Sequence, residues 1–102
     1  MKRGTVNQRA RKHIADYCRT NNITRCEIKL KVCMGEAGGA AHRHKRRWYY
    51  DKPIEALWDI NQWLPACAHC HEIIEFDADL TKQVFLKLRG VDKYEPIISQ
   101  ND

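Results

Sequence analysis

The chain predicts a small α+β domain held together by its cysteines, and three observations point there. Four cysteines fall as two pairs, Cys26 with Cys33 and Cys67 with Cys70. Residues 26–32 alternate apolar and polar, as a half-buried strand does. The stretches on either side of this middle region carry apolar residues at helical spacing instead. With 102 residues the chain is one small domain with a limited core, so a structural metal adds stability that burial alone does not supply.

The N-terminal segment, residues 1–22, is read as a helix running from about Thr5 to Thr20. Val6, Ala10, Ile14, Tyr17 and Cys18 form its apolar stripe, Thr5 is the expected cap and Asn21-Asn22 the expected end. Cys18, outside both pairs, reads as a small apolar residue on this helix. Next, Ile28, Leu30 and Val32 point one way and Glu27, Lys29 and Lys31 the other, which predicts a strand. The glycine-rich run 34–39 then turns the chain, and residues 40–47 return as a second strand, giving a hairpin with the histidines on its second arm. Pro53 is placed to start a short helix through Ile54, Ala56, Leu57 and Trp58. His71, Ile74 and Glu75 recur at helical spacing after Cys70, which predicts a helix starting at the second cysteine pair. A last helix is expected from about Asp79 to Arg89, capped by Asp77 or Asp79 and stopped by Gly90. The tail from Val91, with Tyr94, Pro96 and Ile97-Ile98, is left open between docked and loose. Trp48, Trp58 and Trp63 read as packing residues rather than base-stacking platforms.

The cysteines carry the first chemistry. Cys67-Ala68-His69-Cys70 places two thiolates on one side of a tight turn, half the shell of a tetrahedral zinc. Cys26 and Cys33 are separated by six residues, wider than the usual spacing, but the ends of a hairpin meet. The four together predict one structural zinc. The alternative keeps Cys26 and Cys33 as core cysteines and binds metal on the second pair with a histidine such as His69. No apolar leader follows Met1-Lys2-Arg3-Gly4, and no stretch is apolar enough to span a bilayer. A cytoplasmic setting is therefore expected, where thiols stay reduced and bind metal more often than they bridge.

Net charge is +5 and the sequence pI near 9.1, with the basic residues gathered at the start (Lys2, Arg3, Arg9, Arg11, Lys12) and at Lys45-Arg46-Arg47. Acidic residues gather after Asp51. This asymmetry suggests a nucleic-acid partner; the plainer reading is a solvated face.

Four stretches together resemble the HNH endonuclease family, the ββα-metal nucleases, in the phage-type version braced by four cysteines. They are Cys26-Glu27-Ile28-Lys29-Leu30 with Cys33, Ala41-His42-Arg43-His44-Lys45-Arg46-Arg47, Ile60-Asn61-Gln62-Trp63-Leu64-Pro65-Ala66-Cys67, and Cys70-His71-Glu72-Ile73-Ile74-Glu75. The match covers about residues 25–77, with residues 78–102 as a C-terminal helix and tail outside it. The resemblance implies a treble-clef-like ββα fold and hydrolysis of DNA phosphodiester bonds with magnesium or manganese. It implies His44 as the general base, Asn61 as the residue that holds the histidine loop and fixes the ring, and His71 with Glu75 as ligands of the catalytic ion. Arg43, Lys45, Arg46 and Arg47 would meet backbone phosphates. Two positions depart from the pattern: Glu75 stands where the family has histidine, and Arg43 stands where it tends to place a ligand. His42 is the substitute ligand if the strand bulges or the loop shifts. The rival expectations are a zinc-braced domain that binds nucleic acid without cutting it, and a scaffold that binds a protein partner; for a phage-encoded chain the setting is the host cytoplasm.

Overall fold

The computed structural model describes residues 3–95. Pro96, Ile97 and Ile98 of the tail, like Met1 and Lys2, lie outside the described residues. The elements in order are α1 (Arg3–Thr20), β1 (Gly39–His42), three short 3₁₀ turns (Arg46–Tyr49, Ile54–Leu57, Ile60–Gln62), β2 (Trp63–Ala66), α2 (Ala68–Glu75) and α3 (Ala78–Arg89). Among the described residues it is a small α+β arrangement with three helices and a two-stranded sheet.

The helices follow the expected local signals. α1 extends two residues beyond Thr5, so Thr5 lies inside it rather than at its cap. It ends at Asn21-Asn22, where Asn22 takes a left-handed φ of 54° and the Asn21 side chain donates to the Tyr17 carbonyl. Asp77 caps α3 by accepting from the Leu80 amide at 3.0 Å, and Gly90, at φ 79°, terminates it. Pro53 precedes the turn at 54–57. Cys67 caps α2 through its sulfur, which accepts from the Cys70 amide.

The sheet corrects the expected hairpin. β1 pairs antiparallel with β2, not with residues 26–32, in the register Gly39↔Ala66, Ala40↔Pro65, Ala41↔Leu64 and His42↔Trp63. Residues 26–32 form no strand. Lys29 turns left-handed at φ 57°, the Cys33 amide bonds the Leu30 carbonyl, and the Cys26 amide bonds the Gly35 carbonyl. The chain thus winds into a loop that aims both thiols at one point, with Gly35 at φ 94° and Arg25 packed against it. Alternation of side chains does not require pairing. Ile28 is buried by this loop, while Val32 is exposed. The second arm also stops at His42 rather than reaching residue 47.

One core joins Cys26, Ile28, Ala41, Leu64, Cys67, Cys70, Ile74 and Phe85, so the cysteine group is packed between the sheet, α2 and α3. A second gathers Ala10, Tyr49, Ala56 and Leu57 under α1, with Trp48, Trp58 and Tyr94 against it. Trp63 is fully buried, and Trp58 stacks on His13 with ring centroids 4.1 Å apart, as packing residues do. No helix among the described residues is long and apolar enough to cross a membrane.

Candidate metal centre and histidine cleft

The loop 26–33 and the turn into α2 bring Cys26, Cys33, Cys67 and Cys70 together, their sulfurs all within 4.8 Å of one another. Four sulfurs, three of them on buried residues, are the donor set of a closed zinc site, and they fit that ion. His69 is not part of the group; its ring faces the Val32 carbonyl at 3.4 Å. Backbone amides favour the thiolate forms that a metal requires. Met34 and Cys70 donate to the Cys67 sulfur at 3.3 and 3.4 Å, and these bonds bring its pKa down to about 6. The Gly35 amide donates to Cys33 at 3.4 Å. At Cys26 burial opposes the thiolate, but amides including those of Lys29 and Ile28 outweigh it and the pKa is lowered. Burial pushes the Cys70 thiol up to about 12, so Cys70 is the sulfur that most needs the ion's charge to deprotonate.

On the other side of the sheet end lies an open cleft of about 780 Å³, a size usual for small-ligand sites. His42, His44, Lys45 and Arg46 line one wall, His71, Glu75, Thr81 and Lys82 another, and Asp92 and Glu95 its edge. His42 closes β1, and its Nε2 hydrogen bonds the Leu57 carbonyl at 2.7 Å. A carbonyl only accepts, so Nε2 carries the hydrogen and Nδ1 keeps a lone pair. Burial lowers the His42 pKa, more than the Leu57 bond raises it, so the ring is neutral at physiological pH. His71 and Glu75 are one helical turn apart on α2, with Nε2 and Oε1 3.3 Å apart. Among the described residues, however, His42, His71 and Glu75 do not converge as a metal-binding trio.

His44 lines the same cleft. Its Nε2 lies 2.5 Å from Asp92 Oδ2, its ring stacks on Trp48 with centroids 3.6 Å apart, and its amide donates to the Tyr49 hydroxyl. Asn61 makes no bond to either histidine ring. Its amide donates to the Val91 carbonyl at 3.1 Å, and its Oδ1 accepts from Lys93 N and Gln62 Nε2. Asn61 does reach the histidine loop through Arg43, which donates to its backbone carbonyl at 3.2 Å. The residues after Gly90 are thereby docked through Tyr94, with Lys93 and Tyr94 both bonding Asp59.

Arg43 is turned inward. Its side chain is only 9% exposed, donates to the Gly90 carbonyl at 2.7 Å, and lies over the Phe85 ring. Lys45 is exposed but donates to the Glu75 carbonyl at the end of α2, and Arg46 and Arg47 are exposed beside it. Sequence reasoning missed Asp92, which lies 48 residues from His44 and carries no local motif. It also missed Gln62, a fully buried residue whose amide bridges Tyr49, Asn61 and Asp92.

Compared with known proteins, this chain matches no family model, no curated protein and no solved structure.

Proposed function

We propose that this chain is a metal-dependent endonuclease of the HNH type, hydrolysing DNA phosphodiester bonds by cutting or nicking. One observation carries the reading: an imidazole at the end of β1, fixed by the Leu57 carbonyl with its free nitrogen unprotonated, lines the same cleft as His71 and Glu75 on α2. We assign the general base to His42 in place of His44, because the Leu57 carbonyl keeps the His42 hydrogen on Nε2 and leaves its Nδ1 with a lone pair. His42 Nδ1 takes a proton from water, the water oxygen bonds to phosphorus, and the ester oxygen leaves with the bonding pair. A divalent ion, for which His71 and Glu75 offer a nitrogen and a carboxylate, contributes positive charge at the phosphate when bound. Arg46, Arg47 and Lys82 are exposed cations that meet the backbone, and the four-cysteine zinc fixes α2 against the sheet.

The test is plasmid nicking by zinc-loaded protein with magnesium or manganese. Nicking requires the divalent ion, His42→Ala lowers the rate by at least about a hundredfold, and the acidic limb of the pH profile falls below the ordinary imidazole value near 6.5 because burial lowers this pKa. Full activity in His42→Ala would refute the assignment. A second reading, a zinc-braced domain that binds nucleic acid or a protein without cutting, is favoured by the failure of His42, His71 and Glu75 to converge. It predicts salt-sensitive DNA binding, or protein binding, with no nicking in any metal.

A further inference from the structure

His44, Asp92 and Glu95 form a group that the cleavage reading leaves unused. Their ligating atoms, a ring nitrogen and two carboxylate oxygens, all lie within 4.8 Å of one another at the cleft edge. Asp92 is only 6% exposed, and its Oδ1 is held by Gln62 Nε2 at 2.6 Å and by the Tyr94 amide at 3.0 Å. Gln62 is itself anchored, accepting from the Tyr49 hydroxyl at 2.9 Å. Those bonds turn Oδ2 toward His44, while the Trp48 stack sets the plane of the His44 ring. Ligands oriented by a second layer of hydrogen bonds are what a metal site needs and what a chance surface cluster lacks. Glu95, exposed at the rim, leaves the remaining coordination positions to water. The nearest opposing charge is Arg43 Nε, 3.8 Å from Oδ2, and its guanidinium is already committed to the Gly90 carbonyl.

We propose that His44, Asp92 and Glu95 bind a divalent cation of the manganese or magnesium class, separate from the zinc and from the His71–Glu75 pair. One nitrogen and two carboxylates suit such an ion, which takes the place of the hydrogen between Nε2 and Oδ2 while the ring carries its hydrogen on Nδ1. This is a binding property and does not depend on cleavage.

The experiment titrates manganese alone into the full, zinc-loaded chain. Bound ion is counted by electron paramagnetic resonance, and tryptophan fluorescence is followed in parallel. A manganese ion on His44 quenches Trp48, which stacks on that ring; Trp48→Phe abolishes the quench and keeps the bound ion. Glu95→Gln, an exposed change that spares the fold, and Asp92→Asn each weaken binding by about tenfold or more, whereas His71→Ala leaves the quench in place. Zinc content and near-ultraviolet circular dichroism certify that each variant is folded. Unaltered binding in Glu95→Gln, a quench lost in His71→Ala, or no manganese bound beyond the zinc overturns the proposal. Manganese bound as described without plasmid nicking sinks the cleavage reading and leaves this site standing; nicking with normal manganese binding in Glu95→Gln does the reverse.

Discussion

The two ends of the β1–β2–α2 unit are built on opposite plans. At the sulfur end, four donors of one kind converge, and backbone amides from Met34, Gly35 and Cys70 already point at them. At the cleft end the donors are mixed and each is engaged elsewhere: His42 with Leu57, His44 with Asp92, Lys45 with the end of α2. A site whose task is to hold the chain together is closed and internally satisfied. A site open to a ligand keeps its groups oriented by outer partners while leaving a face to solvent.

The largest effect should come from the sulfur end. Removing zinc by chelation, or Cys67→Ser, takes away on the order of 10 kcal/mol of metal binding, comparable with the whole stability of a domain this small. Thermal melts followed by circular dichroism should lose their cooperative transition. An unchanged melt in chelator would show that the four cysteines hold no ion, and the contrast between the two ends would disappear.

Next comes Arg43→Ala, which strips a buried strut from between β1 and the residues after α3 and should cost about 3 kcal/mol. DNA affinity of the folded fraction should change little. Arg46→Ala should do the opposite, weakening DNA binding and reducing its salt dependence while stability moves by less than about 0.5 kcal/mol. If both variants lose affinity equally without unfolding, the division between strut and contact is wrong.

The smallest effect belongs to the Arg89–Glu27 pair, which ties α3 to the cysteine loop through two bonds of 2.8 Å. Arg89 also donates to the Ile60 carbonyl at 2.8 Å. Arg89→Ala should cost about 1–2 kcal/mol. The Arg89 hydrogen bond lowers the Glu27 pKa from its ordinary 4.5. The pair's contribution is therefore present above that value and is lost as pH falls through the lower, folded one. The gap between denaturant melts of the wild type and Arg89→Ala should narrow below that range to what the Ile60 bond contributes; a constant gap would place the effect in the Ile60 bond alone.

How far the chain could be read varies by residue. The helices were legible because their signals are local: the stripe of α1, the cap Asp77, the stop Gly90, the turn after Pro53. Residues 26–32 alternate without forming a strand because alternation reports side-chain polarity and not pairing; the loop buries Ile28 and leaves Val32 exposed. Asn61 bonds Arg43 and the chain at 91–93, partners that no local pattern around it indicates.

Spacing and residue type alone indicate the helices, the cap Asp77, the stop Gly90 and the two cysteine pairs, since each of these signals spans only a few residues. The pairing of β1 with β2, the inward turn of Arg43 and the approach of Asp92 to His44 were settled by packing. Each joins residues at least 18 positions apart, as Arg43 and Asn61 are. At such separations no local preference selects the partner; the choice falls to the shared burial of Leu64, Ile74 and Phe85, which exists only once the chain is folded.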